Sequence, residues 1–138
     1  MGSEPTTWPY QIRTGEIMVR VRPNYLPDHS SPEERRFLWS YDIEIENLGD
    51  ETVQLQSRHW IITDALGRVE EVEGPGVVGQ RPILGPSDRY GYTSGCPLTT
   101  PSGSMSGSYL MTGADGRMFK VAIPAFSLDT PEARGRLN

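Results

Sequence analysis

The sequence predicts an all-β protein: two packed antiparallel sheets of the immunoglobulin-like or fibronectin type III kind, built from seven to eight strands. Three observations carry that reading. The 138 residues hold 15 glycines and 12 prolines, too many for a helix bundle and suited to short segments separated by turns. In segment 37–46, Phe37, Trp39, Tyr41, Ile43 and Ile45 fall on one face, with Ser40, Asp42, Glu44 and Glu46 on the other. That period of two marks a strand with one wet face. No long amphipathic helical pattern occurs anywhere.

The elements follow in order. Residues 1–15 are polar and weakly patterned and are expected to form a flexible arm, with Trp8 and Tyr10 able to dock on the body. In 16–22, Ile17, Val19 and Val21 share a face and predict a half-buried strand, which Pro23 ends. The connection 25–36 is polar; Ser31-Pro32-Glu33-Glu34 has the spacing of a capping box around one helical turn. After the strand at 37–46, Asn47-Leu48-Gly49-Asp50 reads as a tight turn.

Segment 52–63 starts with Val53 and Leu55 on one face. Its pattern then changes, because Trp60 and Ile62 are apolar on the opposite parity. Either a bulge shifts the register or both faces become covered. Asp64-Ala65-Leu66-Gly67 is the next turn, and 68–73 is a short acidic strand near a sheet edge, where charge discourages stray pairing. Residues 74–88 form a structured loop with an extended piece at 80–84. Tyr90 and Tyr92 pair on one face of the strand that follows. Thr100-Pro101-Ser102-Gly103 fits a type I turn, and Asp115-Gly116 a hairpin turn between the last two strands. The tail 129–138 is polar and expected to be mobile, which leaves 16–128 as the folded domain.

Composition excludes several classes of function. A formal net charge of −5 and a pI of about 5.0 lack the basic field that non-specific nucleic-acid binding needs. There is no stretch long and apolar enough for a membrane span and no apolar leader at the start. Cys96 is the one cysteine, so no intrachain disulfide forms, and a reducing compartment, the cytoplasm, is expected. Cys96 reads as a small buried filler and not a nucleophile. Lys120 is the single lysine beside twelve arginines, a usage that locates no site by itself.

Two stretches stand out as candidate contact residues. Arg58, His59 and Trp60 lie where the strand changes character, and a histidine beside an arginine and an indole could recognise an anion or a peptide. The simpler expectation is a core Trp60 with His59 bonded to backbone. Gly74, Gly76 and Gly79 fit G-x-G-x-x-G, with Gln80 and Arg81 next. The dinucleotide version of that motif opens a helix, which Pro82, Gly85 and Pro86 forbid. An anion-holding nest of glycine N–H groups beside Arg81 is the weaker option, and turn-forming glycines the favoured one.

Metal chemistry finds no support in spacing: the histidines are His29 and His59, and neither a zinc pattern nor H-E-x-x-H occurs. The acidic sets Glu70, Glu71, Glu73 and Asp42, Glu44, Glu46 read as solvated faces in preference to magnesium sites. No set of nucleophile, base and orienting group is legible, so no catalytic residue and no cofactor is assigned.

Several segments together resemble the ApaG family of small bacterial proteins: V-R-P-N-Y-L at 21–26, Y-D-I-E-I-E-N at 41–47, S-R-H-W-x-I-T-D at 57–64, G-P-G-V-V-G-Q at 74–80, Y-T-S-G at 92–95 and M-S-G-S-Y at 105–109. The resemblance implies a fibronectin type III-like sandwich and no established enzymatic activity. It links the chain with cobalt and magnesium efflux, and with a family named beside a dinucleoside tetraphosphate hydrolase. Similar domains occur in larger eukaryotic proteins, including an F-box adaptor, where partner binding is the suggested role. The family motifs map here onto Gly74, Gly76, Gly79 and onto Arg58, His59, Trp60. Pro75, between the first two glycines, stiffens the loop and removes one N–H donor.

The function expected is therefore a non-catalytic interaction module for an unidentified protein partner. Its recognition surface would be a sheet edge or the loop 74–86 beside Arg58, His59 and Trp60, and a homodimer through sheet edges is a second arrangement open to it. The alternative is a sensor that binds a nucleotide pyrophosphate or a divalent cation through the glycine loop.

Overall fold

The computed structural model describes residues 8–135; the outermost parts of the arm and tail expected above, 1–7 and 136–138, lie outside them. Among the described residues nine strands form two antiparallel sheets. They are β1 (Tyr10–Thr14), β2 (Ile17–Tyr25), β3 (Phe37–Asn47), β4 (Val53–Asp64), β5 (Val69–Pro75), β6 (Ile83–Leu84), β7 (Arg89–Leu98), β8 (Ser102–Thr112) and β9 (Met118–Asp129), followed by a short helix α1 (Pro131–Gly135). One sheet runs β1-β2-β3-β7 and the other β5-β4-β8-β9, with β6 also paired to β4. The sandwich is the fold the alternation predicts.

Several local expectations change. β2 runs through Pro23, which was expected to end it, and pairs as far as Tyr25↔Trp39. Ser102 and Gly103, expected in a type I turn, begin β8. Pro131–Gly135, in the tail expected to be mobile, is a helical turn. Tyr10–Thr14, read as part of the arm, is a strand that pairs with β2 from Tyr10↔Val21 to Thr14↔Ile17, which brings the count to nine. Trp8 and Tyr10 do dock: the Arg22 guanidinium lies 4.5 Å over the Trp8 ring, and Tyr10 meets Phe126 at 6.0 Å. At Pro32–Glu34 a single 3-10 turn forms, but the Ser31 side chain caps nothing. The Ser31 carbonyl instead accepts from Glu34 and Arg36. Between 80 and 84 only Ile83 and Leu84 are strand.

The core lies between the sheets. Val19, Val21, Trp39, Ile43 and Ile45 from one sheet face Leu55, Tyr109, Met111, Val121 and Leu128 from the other, all fully buried. The alternation in β3 dictates this, since every second residue enters the same face. Trp60 sits edge-on to Tyr41 (5.3 Å) and Phe126 (6.0 Å), a favoured aromatic geometry. Asn47 explains its own turn: its amide donates to the Glu51 and Leu84 carbonyls and its oxygen accepts from Gly49 N–H.

The two long sides of the sandwich differ. On one, β1 and β9 are tied together: Thr14 Oγ1 accepts from Ala122 N–H at 3.1 Å, and Tyr10 Oη from Ser127 N–H at 3.4 Å. On the other, β5 and β7 are both edge strands, and a cleft of about 270 Å³ enters the core between them.

Candidate functional site

Strand β4 decides where the candidate side chains go. Its register with β8 shifts between Leu55 and Ser57, the bulge that the sequence pattern allowed. A bulge inserts one residue and reverses parity beyond it. Before it, Val53 and Leu55 face the core. After it, Arg58, Trp60 and Ile62 turn inward and His59 turns out. Arg58, His59 and Trp60 therefore do not converge.

His59 lies on the outer face, where its Nε2 meets Glu71 Oε1 at 2.7 Å. The backbone partner expected for it is replaced by a carboxylate, because Glu71 sits on the same outer face of the adjoining strand. Trp60 is 3% exposed and belongs to the core.

Arg58 is committed to the glycine loop. Its Nη1 donates to the Pro75 and Gly76 carbonyls, both at 3.0 Å. Each motif glycine has a structural reason. A Cβ on Gly74 would stand 3.0 Å from Arg58 Nη1, so a bare Cα makes room for the guanidinium. Gly76 has φ +63°, and its Cβ would fall 2.4 Å from the Gln80 carbonyl oxygen. Val78 and Gly79 form a two-residue turn, with φ +42° and +80°, closed by reciprocal Val77–Gln80 backbone bonds of 2.8 and 2.9 Å. Positive φ at both positions is the hairpin geometry that matches strand twist, but a β-branched residue there is strained.

The hairpin rests on the β4 bulge. Gly76 N–H donates to the Gln56 carbonyl at 2.9 Å, and Arg81 Nη1 to Gln56 Oε1 at 3.3 Å. Val77 is buried, while Gln80 and Arg81 stay exposed. No helix follows Gly79. The N–H groups of Gly76, Val77 and Gln80 are taken by backbone carbonyls and Pro75 has none, which leaves only the adjacent tip N–H groups of Val78 and Gly79 as donors for an anion.

What sequence reading missed is the cleft beside this loop. Register pairs Arg58 with Gly74, Trp60 with Val72 and Ile62 with Glu70, so the inward faces of β4 and β5 run from cation through apolar to anion. Tyr41, Ser94 and Cys96 close the other wall. Arg58 Nε and Nη2 and the Glu70 carboxylate have no hydrogen-bond partner among the described residues. Parity counted from the bulge would have placed Glu70 and Val72 with Trp60; only the packing of one sheet on the other adds β7.

The two edges beside the cleft are unlike. β5 carries Glu70, Glu71 and Glu73, the charge that guards an edge. β7 carries Arg89 at its start and no further charge through Leu98, with Gly91, Gly95 and Pro97 on its outer parity.

The buried thiol and hydroxyls in and behind the cleft are neutral at physiological pH. Burial, and then the negative charge of Glu70, push the Cys96 thiol up to about 11, so it is no thiolate nucleophile. Burial also raises the Tyr41 and Tyr92 hydroxyls, offset in part by hydrogen bonds with Ser94 and Tyr109. The Tyr92 and Tyr109 hydroxyls share a 2.5 Å bond. Among the described residues no three His, Cys, Asp or Glu side chains are grouped to hold a metal ion, and no helix is long and apolar enough to cross a membrane.

Comparison with known proteins agrees with the motif reading. The family model of the ApaG domain matches residues 27–113. Protein ApaG of Rhodospirillum centenum is 60% identical over 129 residues, covering 94% of this chain and 99% of that protein. Protein ApaG of Paramagnetospirillum magneticum is 57% identical with the same coverage. The crystal structure of a Bordetella pertussis protein described as ApaA superposes with a TM-score of 0.82 at 44% identity, covering 91% of this chain and 98% of that one.

Proposed function

The chain belongs to the ApaG domain family, and from that premise we propose that it is a non-catalytic interaction module that recognises a protein partner along its open side, between β5 and β7. The observation that carries this reading is the asymmetry of the sandwich. One side is tied shut by β1 and β9, whereas the other has two strand edges, one of them free of charge for nine residues, and a cleft into the core. An open edge offers backbone donors and acceptors to an added strand, and pockets for alternate side chains supply specificity. The glycine hairpin does not line this cleft; it is joined to it through Arg58, whose Nη1 holds the Pro75 and Gly76 carbonyls. The role in cobalt and magnesium efflux that the resemblance implies would be exercised through the bound partner, in the cytoplasm.

The test is capture from a native lysate with the full chain. A stoichiometric partner should be retained by the wild type and weakened by Arg58→Ala, with circular dichroism unchanged. Trp60→Ala is unsuitable, since Trp60 is core. Reproducible absence of any stoichiometric partner, or equal capture by Arg58→Ala, would count against the reading.

A further inference from the structure

The chemistry of the cleft specifies what the partner segment carries. Its inward ladder places Arg58 at one end, Trp60, Ile62 and Val72 in the middle, and Glu70 at the other end. Arg58 and Ile62 are four strand positions apart, and Ile62 pairs with Glu70. At about 3.3 Å per residue the cation and anion are therefore about 13 Å apart. Both retain hydrogen-bonding capacity: Nε and Nη2 of Arg58, the edge that meets a carboxylate side-on, and the whole carboxylate of Glu70, have no partner among the described residues. An extended chain repeats its side chains on one face every second residue, so residues i, i+2 and i+4 of a docked strand span the same distance.

We propose that the open side binds an extended segment of a partner protein bearing an acidic, an apolar and a basic residue at successive alternate positions. The acidic residue meets Arg58, the apolar one enters between Trp60, Ile62 and Val72, and the basic one meets Glu70. This rests on the interaction-module reading and names its ligand. The 270 Å³ of the cleft has room for one apolar side chain with the stems of its two neighbours. β7 supplies the backbone edge, because its uncharged run opposes no residue of the incoming strand.

The test uses the full chain and four fluorescein-labelled, end-blocked nonapeptides with the cores E-T-L-T-K, E-T-L-T-E, K-T-L-T-K and E-T-S-T-K, read by anisotropy. The first should bind about fivefold tighter than either like-charged peptide, the scale of one exposed ion pair turned to repulsion. Replacing leucine by serine should cost about tenfold or more through lost apolar burial. Glu70→Lys, on an exposed edge, should invert the charge preference so that E-T-L-T-E binds best. Equal binding of all four, no binding of any, or an order unchanged by Glu70→Lys overturns the proposal. Lysate capture with the same protein separates the two levels: a retained partner with indifferent peptides rejects only the ligand pattern, and loss of both rejects the module.

Discussion

Replacing the motif glycines one at a time by alanine should produce a graded series of stability losses. At Gly79, φ is +80° and a Cβ meets nothing within 4 Å. The cost is the left-handed penalty of about 1–2 kcal/mol, less the roughly 0.4–1 kcal/mol gained by restricting the unfolded chain, or about 1 kcal/mol net. At Gly76 the same backbone term applies at φ +63°, and the Cβ would stand 2.4 Å from the Gln80 oxygen. Relief requires opening the Val77–Gln80 pair, whose two bonds contribute about 1 kcal/mol each. The loss at Gly76 is then about 2–3 kcal/mol. Gly74→Ala meets only the far end of Arg58 and should cost less than about 1 kcal/mol, while displacing the guanidinium from the Pro75 and Gly76 carbonyls. Urea unfolding followed by tryptophan fluorescence measures all three, and thermal melts should show falls of about 2–4 °C per kcal/mol. If Gly76→Ala cost no more than Gly79→Ala, or if Gly74→Ala cost the most, the structural account of the motif would fail.

Other outcomes follow from the same geometry. Val78→Asn should stabilise the chain by about 1 kcal/mol in a thermal melt, since asparagine tolerates the left-handed region that valine resists; a lower midpoint would contradict the turn. Burial works to raise the Glu46 carboxyl, but the hydrogen bond from Arg20 and the charges of Arg89 and Arg20 outweigh it and hold it below its ordinary 4.5. Its contribution is therefore complete above the unfolded value and fades as pH drops through the folded one. Glu46→Gln should flatten the acid limb of a stability–pH curve, and an unchanged limb would show that other carboxylates set it. Amide NMR titration with a dinucleoside tetraphosphate, Mg²⁺ or Co²⁺ should leave Gly76, Val77 and Gln80 in place, because their N–H groups are already bonded; specific saturable shifts there would revive the sensor reading.

The strands with one buried face were legible because a period of two survives in residue type. β3 is the clearest, and the acidic edge at β5 was readable from its glutamates. β1 was not, since Gln11, Ile12 and Arg13 are all exposed and an edge strand held by backbone pairing leaves no alternation. The extension of β7 through Pro97 was hidden for a related reason: proline is tolerated at an edge, where its missing donor faces no neighbour. At the candidate site the sequence pointed to the correct stretch and the wrong grouping. Gln56 bulges, so His59 leaves the company of Arg58 and Trp60 and finds Glu71. The cleft needs β7 brought against β5 from more than twenty residues away, which no local pattern encodes.

Amide hydrogen exchange on the chain, free and bound to the partner it captures, tests the open side as the recognition surface most directly. New protection is predicted at Gly91, Thr93 and Gly95, the β7 residues whose N–H groups face the free edge, with β1 and β9 unchanged. Protection confined to the β1–β9 side, or to the outer face around His59, would contradict it.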